Sequence, residues 1–160
     1  VDEFHIKSTL FTLSDVVSVV KSDLLSAIDE GHEVASHGMS HKRPLTISKD
    51  AFIKDIEYSK KNIEDSLSVE VLGYRAPCFS INNNLLEALK NTGHQYDSSM
   101  INFGSHPLYG CINPNSFIKI MDNIIKTELS LSLSFLQPTY LVVISPFLVE
   151  VTYAFSPGML

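Results

Sequence analysis

The sequence predicts an α/β fold of βαβ units on a parallel sheet. Three observations predict it. Short stretches rich in β-formers alternate with stretches of helical period through the first two thirds of the chain. Capping residues bound the helical stretches. Polar residues suited to chemistry follow the ends of successive strand-like stretches, where parallel α/β folds place their sites. The alternation alone leaves an open sheet and a barrel both open.

Lys7 to Leu13 reads as the first strand. Ser14 or Asp15 can cap a following helix, because a short oxygen-bearing side chain accepts from the orphan N–H groups of a first turn. Val16, Val17, Val19, Val20, Leu24, Leu25 and Ile28 give that helix an apolar face, interrupted near Lys21 to Asp23, and Gly31 suits its C-terminus. His32 to Ser36 is a short buried strand. Ser48 begins a second helix, without a full Ser-x-x-Glu box. Phe52, Ile53, Ile56, Ile63 and Leu67 fall at its helical spacing. Val69 to Tyr74 is the next strand. Asn82 to Thr92 is a third helix, with Leu85, Leu86 and Leu89 inward and Gly93 ending it. Gln95 to Ser99 is a further strand. The pattern weakens after Gly104, where Pro107, Gly110 and Pro114 mark loops. Ser116 to Lys126 reads as a short helix and the last stretch as irregular β structure.

At 160 residues the chain fits one domain, and 44% hydrophobic against 19% charged residues lets it bury a core. The formal charge of -6 argues against a general nucleic-acid binder, which needs a basic face. Two cysteines, Cys78 and Cys111, form no Cys-x-x-Cys pair and read as free thiols, one or both buried. The chain opens Val-Asp-Glu-Phe, with no signal-peptide pattern. The apolar tail from Leu129 to Leu160 is interrupted by Gln137, Pro138, Pro146 and Glu150, short of the ~20 apolar residues of a spanning helix. Buried strands, not a membrane span, are expected there. The compartment stays open.

Three constellations can carry chemistry. The first is Ser36-His37-Gly38-Met39-Ser40-His41. His37 and His41 share a face if the segment is helical, or converge from a tight loop that Gly38 permits. Either way two imidazoles can reach one metal ion, and imidazole nitrogen suits zinc. Such a pair also arises by chance, so its place after a strand is what favours the metal reading. His32, inside the strand, is the structural control. The second constellation is Gly73-Tyr74-Arg75-Ala76-Pro77. Arg75 can hold a carboxylate bidentately, as in the orientation of a general base, while a surface ion pair is the bland alternative. Pro77 stiffens the turn. The third is Tyr96-Asp97-Ser98-Ser99, where Asp97 can ligate metal, orient a histidine or cap the next segment, capping being the commonest such role. His5, His94 and His106 are scattered; His106 lies in a loop before Pro107 and either lines a pocket or faces solvent.

Taken together, these stretches resemble the polysaccharide deacetylase family, which includes chitin-oligosaccharide and peptidoglycan deacetylases. The run from Asp29 to His41 resembles the family's second motif, whose two histidines, here His37 and His41, are metal ligands. The run from Gly73 to Ile81 resembles the third motif. Its Arg, here Arg75, pairs with the catalytic base, and its loop, with Pro77 and Phe79, walls the sugar groove. Phe52 to Leu67 resembles the helix between the two motifs, and Lys7 to Leu13 the strand that usually reads Ala-Thr-Phe-Phe. Tyr96-Asp97-Ser98-Ser99 resembles the subgroup linked to bacterial exopolysaccharide biosynthesis and export. Ser105 to Gly110, with His106, resembles a His-Asp-Arg-Tyr-Gly stretch of that subgroup with Asp and Arg replaced. The resemblance covers roughly residues 1 to 110.

It implies an irregular (β/α) barrel of about seven strands. It also implies metal-assisted hydrolysis of N-acetyl groups on an acetylated polysaccharide or oligosaccharide, most often with Zn2+, in a bacterial cytoplasm or cell envelope. Asp97, Ser98 and His106 join Pro77 and Phe79 as expected substrate-binding residues. Two departures matter. The family's first motif, a strand ending in Thr-Phe-Asp-Asp-Gly that carries the general base and third metal ligand, does not occur in this sequence. Its absence is expected to leave a gap in the barrel and an exposed edge. The late histidine that acts as general acid is also missing, since no histidine follows His106. Little or no activity is therefore expected of this chain. The alternatives are a catalytically inactive carbohydrate-binding pseudoenzyme and another amidase on the same barrel, such as an allantoinase-like hydrolase; a purely structural protein fits the three constellations least.

Overall fold

The computed structural model describes residues 7–100 and 106–112, and the strands within 140–144 and 147–154. The expected helix at Ser116 to Lys126 and His5 lie outside the described residues.

Four parallel strands form one side of the sheet: β1 (Lys7–Thr12), β2 (Glu33–Ser36), β3 (Gly73–Tyr74) and β4 (Tyr96–Asp97). Helix α1 (Lys21–Asp29) joins β1 to β2, α2 (Lys49–Leu67) joins β2 to β3, and α3 (Asn83–Asn91) joins β3 to β4. Each is a βαβ unit, as the alternation requires. Two further strands, β5 (Tyr140–Ile144) and β6 (Phe147–Ala154), pair antiparallel with each other, and β6 pairs antiparallel with β1. The sheet order is β4-β3-β2-β1-β6-β5. Both edges of β1 are thus paired, and the exposed edge expected from the missing first motif is not found on this strand.

The helices form where their ends are satisfied. Ser48 caps α2, its hydroxyl accepting from Ala51 N, and Asn82 caps α3 by accepting from Leu85 N. At the end of α1, Gly31 takes a left-handed φ of +84°, its N–H donates to Ile28 O, and His32 N donates to Ala27 O. That pair of bonds is a Schellman ending.

Helix α2 anchors the core. Phe52 and Ile56 pack with Tyr74, Ile81, Leu85, Leu86 and Leu89, while Ile63 and Leu67 pack with Val17, Val20, Leu24, Val34 and Val71. Each such buried aliphatic or aromatic side chain contributes roughly 1.5–3 kcal/mol by leaving water.

Several expectations are corrected. Ser14 and Asp15 cap no helix. Their N–H groups bond Gly38 O and Met39 O at 3.0 and 3.1 Å, so this backbone continues the sheet-end ladder as a 3-10 turn, Ser14–Val16, before α1 starts at Lys21. Val19 leaves the apolar face and is 61% exposed. The strand expected over Val69 to Tyr74 shrinks to β3, because side chains of α2 take the backbone of Val71. Glu64 Oε1 accepts from Val71 N at 3.0 Å and the Lys60 ammonium donates to Val71 O. The strand expected over Gln95 to Ser99 is likewise confined to β4. Neither thiol is buried: Cys78 is half-buried and Cys111 exposed, both free.

Candidate metal centre

The four parallel strands end together, and the residues just beyond them are laced edge to edge. His37 N donates to Thr12 O, Arg75 N to Ser36 O, and Ser98 N to Tyr74 O, each at 2.9 Å. This ladder lifts all three polar constellations onto one edge of the sheet.

His37 and His41 converge from a loop, not from a helix. Gly38 at φ +82° and His41 at φ +60° turn the chain back on itself, and the two rings meet edge to face with centroids 5.1 Å apart. A left-handed His is tolerated where the surroundings hold it. His37 is fully buried and its Nδ1 lies 2.7 Å from Arg75 O. A carbonyl can only accept, so Nδ1 carries the proton and Nε2 keeps its lone pair. Nε2 is buried and has no hydrogen-bond partner among the described residues. Burial drives the His37 pKa down to about 3, against the opposing Arg75 carbonyl bond; the charges of His41 and Arg75 push the same way as burial. The imidazole is therefore neutral and ligand-ready at any ordinary pH. A backbone acceptor on one ring nitrogen with the other left open is how metal-binding histidines are oriented. The pair fits the imidazole part of a divalent-metal site. Among the described residues no group of three or more His, Cys, Asp or Glu completes it.

Orphaned polar atoms concentrate here. Ser14 Oγ and Ser40 Oγ are buried without partners among the described residues, as is His37 Nε2; the other such atom is His94 Nε2, away from the loop. His94 bonds Thr92 Oγ1 through Nδ1 and stands edge to face against Tyr74. Burial lowers its pKa to about 4.

Arg75 is buried, and the described bonds of its guanidinium go to Ser98: Nε to the backbone oxygen at 3.1 Å and Nη2 to Oγ at 2.6 Å. Its Cζ lies 4.3 Å above the Phe11 ring and 5.7 Å from that of Phe79, within cation–π range. Pro77, itself buried, opens a 3-10 turn whose next two residues, Cys78 and Phe79, are half-buried and both take positive φ. Phe79 meets Tyr109 edge to face, and Tyr109 stacks on His106 at 4.0 Å. His106, half-buried, thus ends an aromatic row leading from the Arg75 loop. Asp97 is buried and spends its carboxylate on Ser99, accepting from Ser99 N at 3.0 Å and Ser99 Oγ at 2.6 Å. Burial raises its pKa to about 6, with the Ser99 bonds and Arg75 opposing. Ser99 Oγ accepts from Ala76 N at 2.7 Å, so the third constellation braces the second. His32 is structural, accepting from Ser8 N at 3.1 Å just ahead of β2.

Sequence reasoning passed over Asp55, Ser59 and Asn62 on α2. Asp55 Oδ2 accepts from Met39 N at 3.1 Å, Ser59 Oγ meets Ser36 Oγ at 2.8 Å, and Asn62 Nδ2 donates to Ser14 O at 2.9 Å. Their spacing, a polar stripe one helical turn apart within an amphipathic helix, was the available signal.

The family model for polysaccharide deacetylase matches residues 1–96. The chain belongs to the polysaccharide deacetylase family. It is 28% identical over 111 residues to a peptidoglycan deacetylase of Helicobacter pylori, covering 67% of this chain and 36% of that protein. The chain thus spans about a third of the length of that curated relative. Among solved structures, a protein assigned as a polysaccharide deacetylase from Mycobacterium smegmatis superposes with a TM-score of 0.59 at 21% identity, over 81% of this chain and 55% of that one. A CE4-family pseudoenzyme from Bacillus anthracis gives 0.56 at 18%, over 60% and 34%. The Xyl-CE4 domain of a xylanase from the hindgut metagenome of Trinervitermes trinervoides gives 0.51 at 24%, over 59% and 44%. At these identities the likenesses show the fold alone, which in these neighbours is a (β/α) barrel. Deacetylases of the family are metal-dependent. No helix among the described residues is long and apolar enough to cross a membrane.

Proposed function

We propose that this polysaccharide deacetylase chain carries the histidine and arginine part of a site for removing N-acetyl groups from a polysaccharide or oligosaccharide, with Zn2+ as its metal and activity impaired. One observation carries the reading. His37 presents a buried, unpartnered Nε2 lone pair, its tautomer fixed by Arg75 O, beside the ring of His41.

His37 and His41 would hold the metal, which when bound supplies Lewis-acid polarisation of an acetyl carbonyl and an acidified water. Arg75 supplies a fixed positive charge in a water-poor setting, suited to steadying a carboxylate or a developing oxyanion. Pro77 and Phe79 hold the loop that would wall a sugar, with His106 and Tyr109 extending its aromatic surface. Asp97 and Ser98 act behind them, Ser98 on the guanidinium and Asp97 on the Ser99 brace. The sequence has no Asp-Asp pair and no histidine beyond His106 to serve as general base and acid. Loss of one such proton-transfer group costs roughly 10²–10⁴-fold.

The test compares the chain with a His37→Ala/His41→Ala variant for zinc binding by chelator competition, and for acetate release from an N-acetylglucosamine oligomer. One equivalent of zinc in the parent and none in the variant, with little acetate from either, is expected. Equal binding in both defeats the metal assignment. Strong metal-dependent acetate release from the parent defeats the impairment. Oligomer binding without acetate release marks a carbohydrate-binding pseudoenzyme.

A further inference from the structure

Between the two histidines, Gly38 and Met39 expose no free backbone group. Gly38 N donates to Ser36 Oγ at 3.2 Å and Gly38 O accepts from Ser14 N at 3.0 Å. Met39 N donates to Asp55 Oδ2 at 3.1 Å and Met39 O accepts from Asp15 N at 3.1 Å. Three of these partners belong to β2 or to the turn after β1, and so to the same sheet edge. Asp55 is the exception, since it reaches in from α2.

Asp55 also touches the loop at its tightest point. A Cβ built on Gly38 would lie 2.9 Å from Asp55 Oδ2, and Gly38 itself holds φ +82°. The carboxylate therefore occupies the space that a side chain at position 38 would need, at the turn that brings His41 back toward His37. The helix below it is fixed in turn, because Ser59 and Asn62 tie α2 to Ser36 and to Ser14 O. Asp55 is half-buried, and burial pushes its pKa up, with the Met39 N–H and Lys42 opposing and Asp15 adding to the rise.

We propose that Asp55 is the positioning residue of the His37–His41 loop: by holding Met39 N from α2 it sets the approach of the two imidazoles, and through it the affinity for metal. The proposal rests on the metal reading of the pair. Asp55 is not a ligand and acts only through the loop backbone. A group that orients ligands in this way is worth about 10–100-fold in metal affinity.

The experiment uses the full chain and its Asp55→Ala and Asp55→Asn variants. It measures zinc affinity by chelator competition and, without metal, hydrogen exchange at the Met39 amide. Asp55→Ala should lose about 10–100-fold in affinity and Met39 should exchange faster. Asp55→Asn keeps an acceptor oxygen, so both readouts should stay near those of the parent. If Asp55→Ala does not fold, Asp55→Leu restores the volume without an acceptor. Parent-like zinc affinity or unchanged Met39 protection in the acceptor-free variant overturns the role of Asp55. Absence of zinc binding in the parent overturns instead the metal reading, and the Met39 exchange then decides alone whether Asp55 holds the loop.

Discussion

At Gly73 a side chain has nowhere to go: an added Cβ would sit 2.1 Å from the Tyr96 ring. Tyr96 pairs with Gly73 in register and crosses above it to donate to Glu33 Oε1 at 2.7 Å, while Thr9 Oγ1 donates to Glu33 Oε2 at 2.8 Å. Gly73→Ala must displace that ring and its bonds. It should destabilise the chain by about 1–3 kcal/mol in urea unfolding. The same change in a Tyr96→Ala background should cost measurably less, and equal costs would show that the ring is not the obstacle. Charge at single buried residues gives a second prediction. His37 and His94 have folded pKa values of about 3 and about 4 against 6.5 for the free side chain. Their stabilising effect is present above 6.5 and lost as pH falls toward those values, because the unfolded chain takes the protons first. Asp97, raised from 3.8 to about 6, works the other way: its contribution is present below 3.8 and lost as pH rises through 6. Asp97→Asn should therefore deepen the loss of stability between pH 7 and pH 5, seen as a larger drop in the denaturant midpoint. An unchanged drop would mean that the Asp97 shift is not felt in folding. At this scale the convergence of the histidine pair and the placement of Arg75 and Asp97 at the strand ends were legible, because each is a residue type in a telling place. The His37 tautomer was not, since it depends on a carbonyl 38 positions away.

Among the elements, α2 shows best why some of the fold was readable and some was not. Its start was legible, since Ser48 is a capping residue placed before an amphipathic run. Ser48→Ala should cost about 1 kcal/mol, with the loss confined to stability, because the bond described for the Ser48 side chain is the one it accepts from Ala51 N. A change in metal affinity would mean that the cap also sets the tilt of α2. What the periodicity hid was the second duty of the helix. Ser59 lies within the buried face between Ile56 and Ile63, where an apolar residue would serve packing better, and bonds Ser36 instead. The end of α2 likewise shortens the next strand, for Glu64 and Lys60 claim Val71 from the ladder. Strand length is decided by where backbone groups find partners, and a side chain from a neighbouring helix competes there without leaving a period in the strand's own sequence. The first helix failed by a related rule: Ser14 and Asp15 look like caps, but their backbone is held to Gly38 and Met39 in a 3-10 turn, Ser14 Oγ finds no partner among the described residues, and α1 starts only at Lys21.

Across the whole molecule, the consequential feature is the pairing of β1. Parallel β2 lies on one side and antiparallel β6 on the other, with Lys7 to Thr12 matched one for one against Ala154 to Val149. The parallel half was legible from alternation alone. The antiparallel partner was not, because the sequence pattern weakens after Gly104 and the sequence of β6 does not announce which edge it will meet. Pairing at β1 matters for the site, since Thr12 at its end receives His37 N and the next residues hold Gly38 and Met39. A strand fixed on both sides presents those groups at a constant height, whereas one with a bare edge offers a row of unpaired N–H and C=O groups to any other chain. Removing residues 139 to 160 should therefore expose β1 and drive self-association, detectable as concentration-dependent growth in light scattering. If β1 then frays, zinc affinity should fall as well, because the loop loses the level of its support. A truncated chain that stays monomeric with parent-like zinc affinity would show that β2 alone holds β1 in place. The site would then depend on the βαβ units and not on the hairpin that completes the sheet.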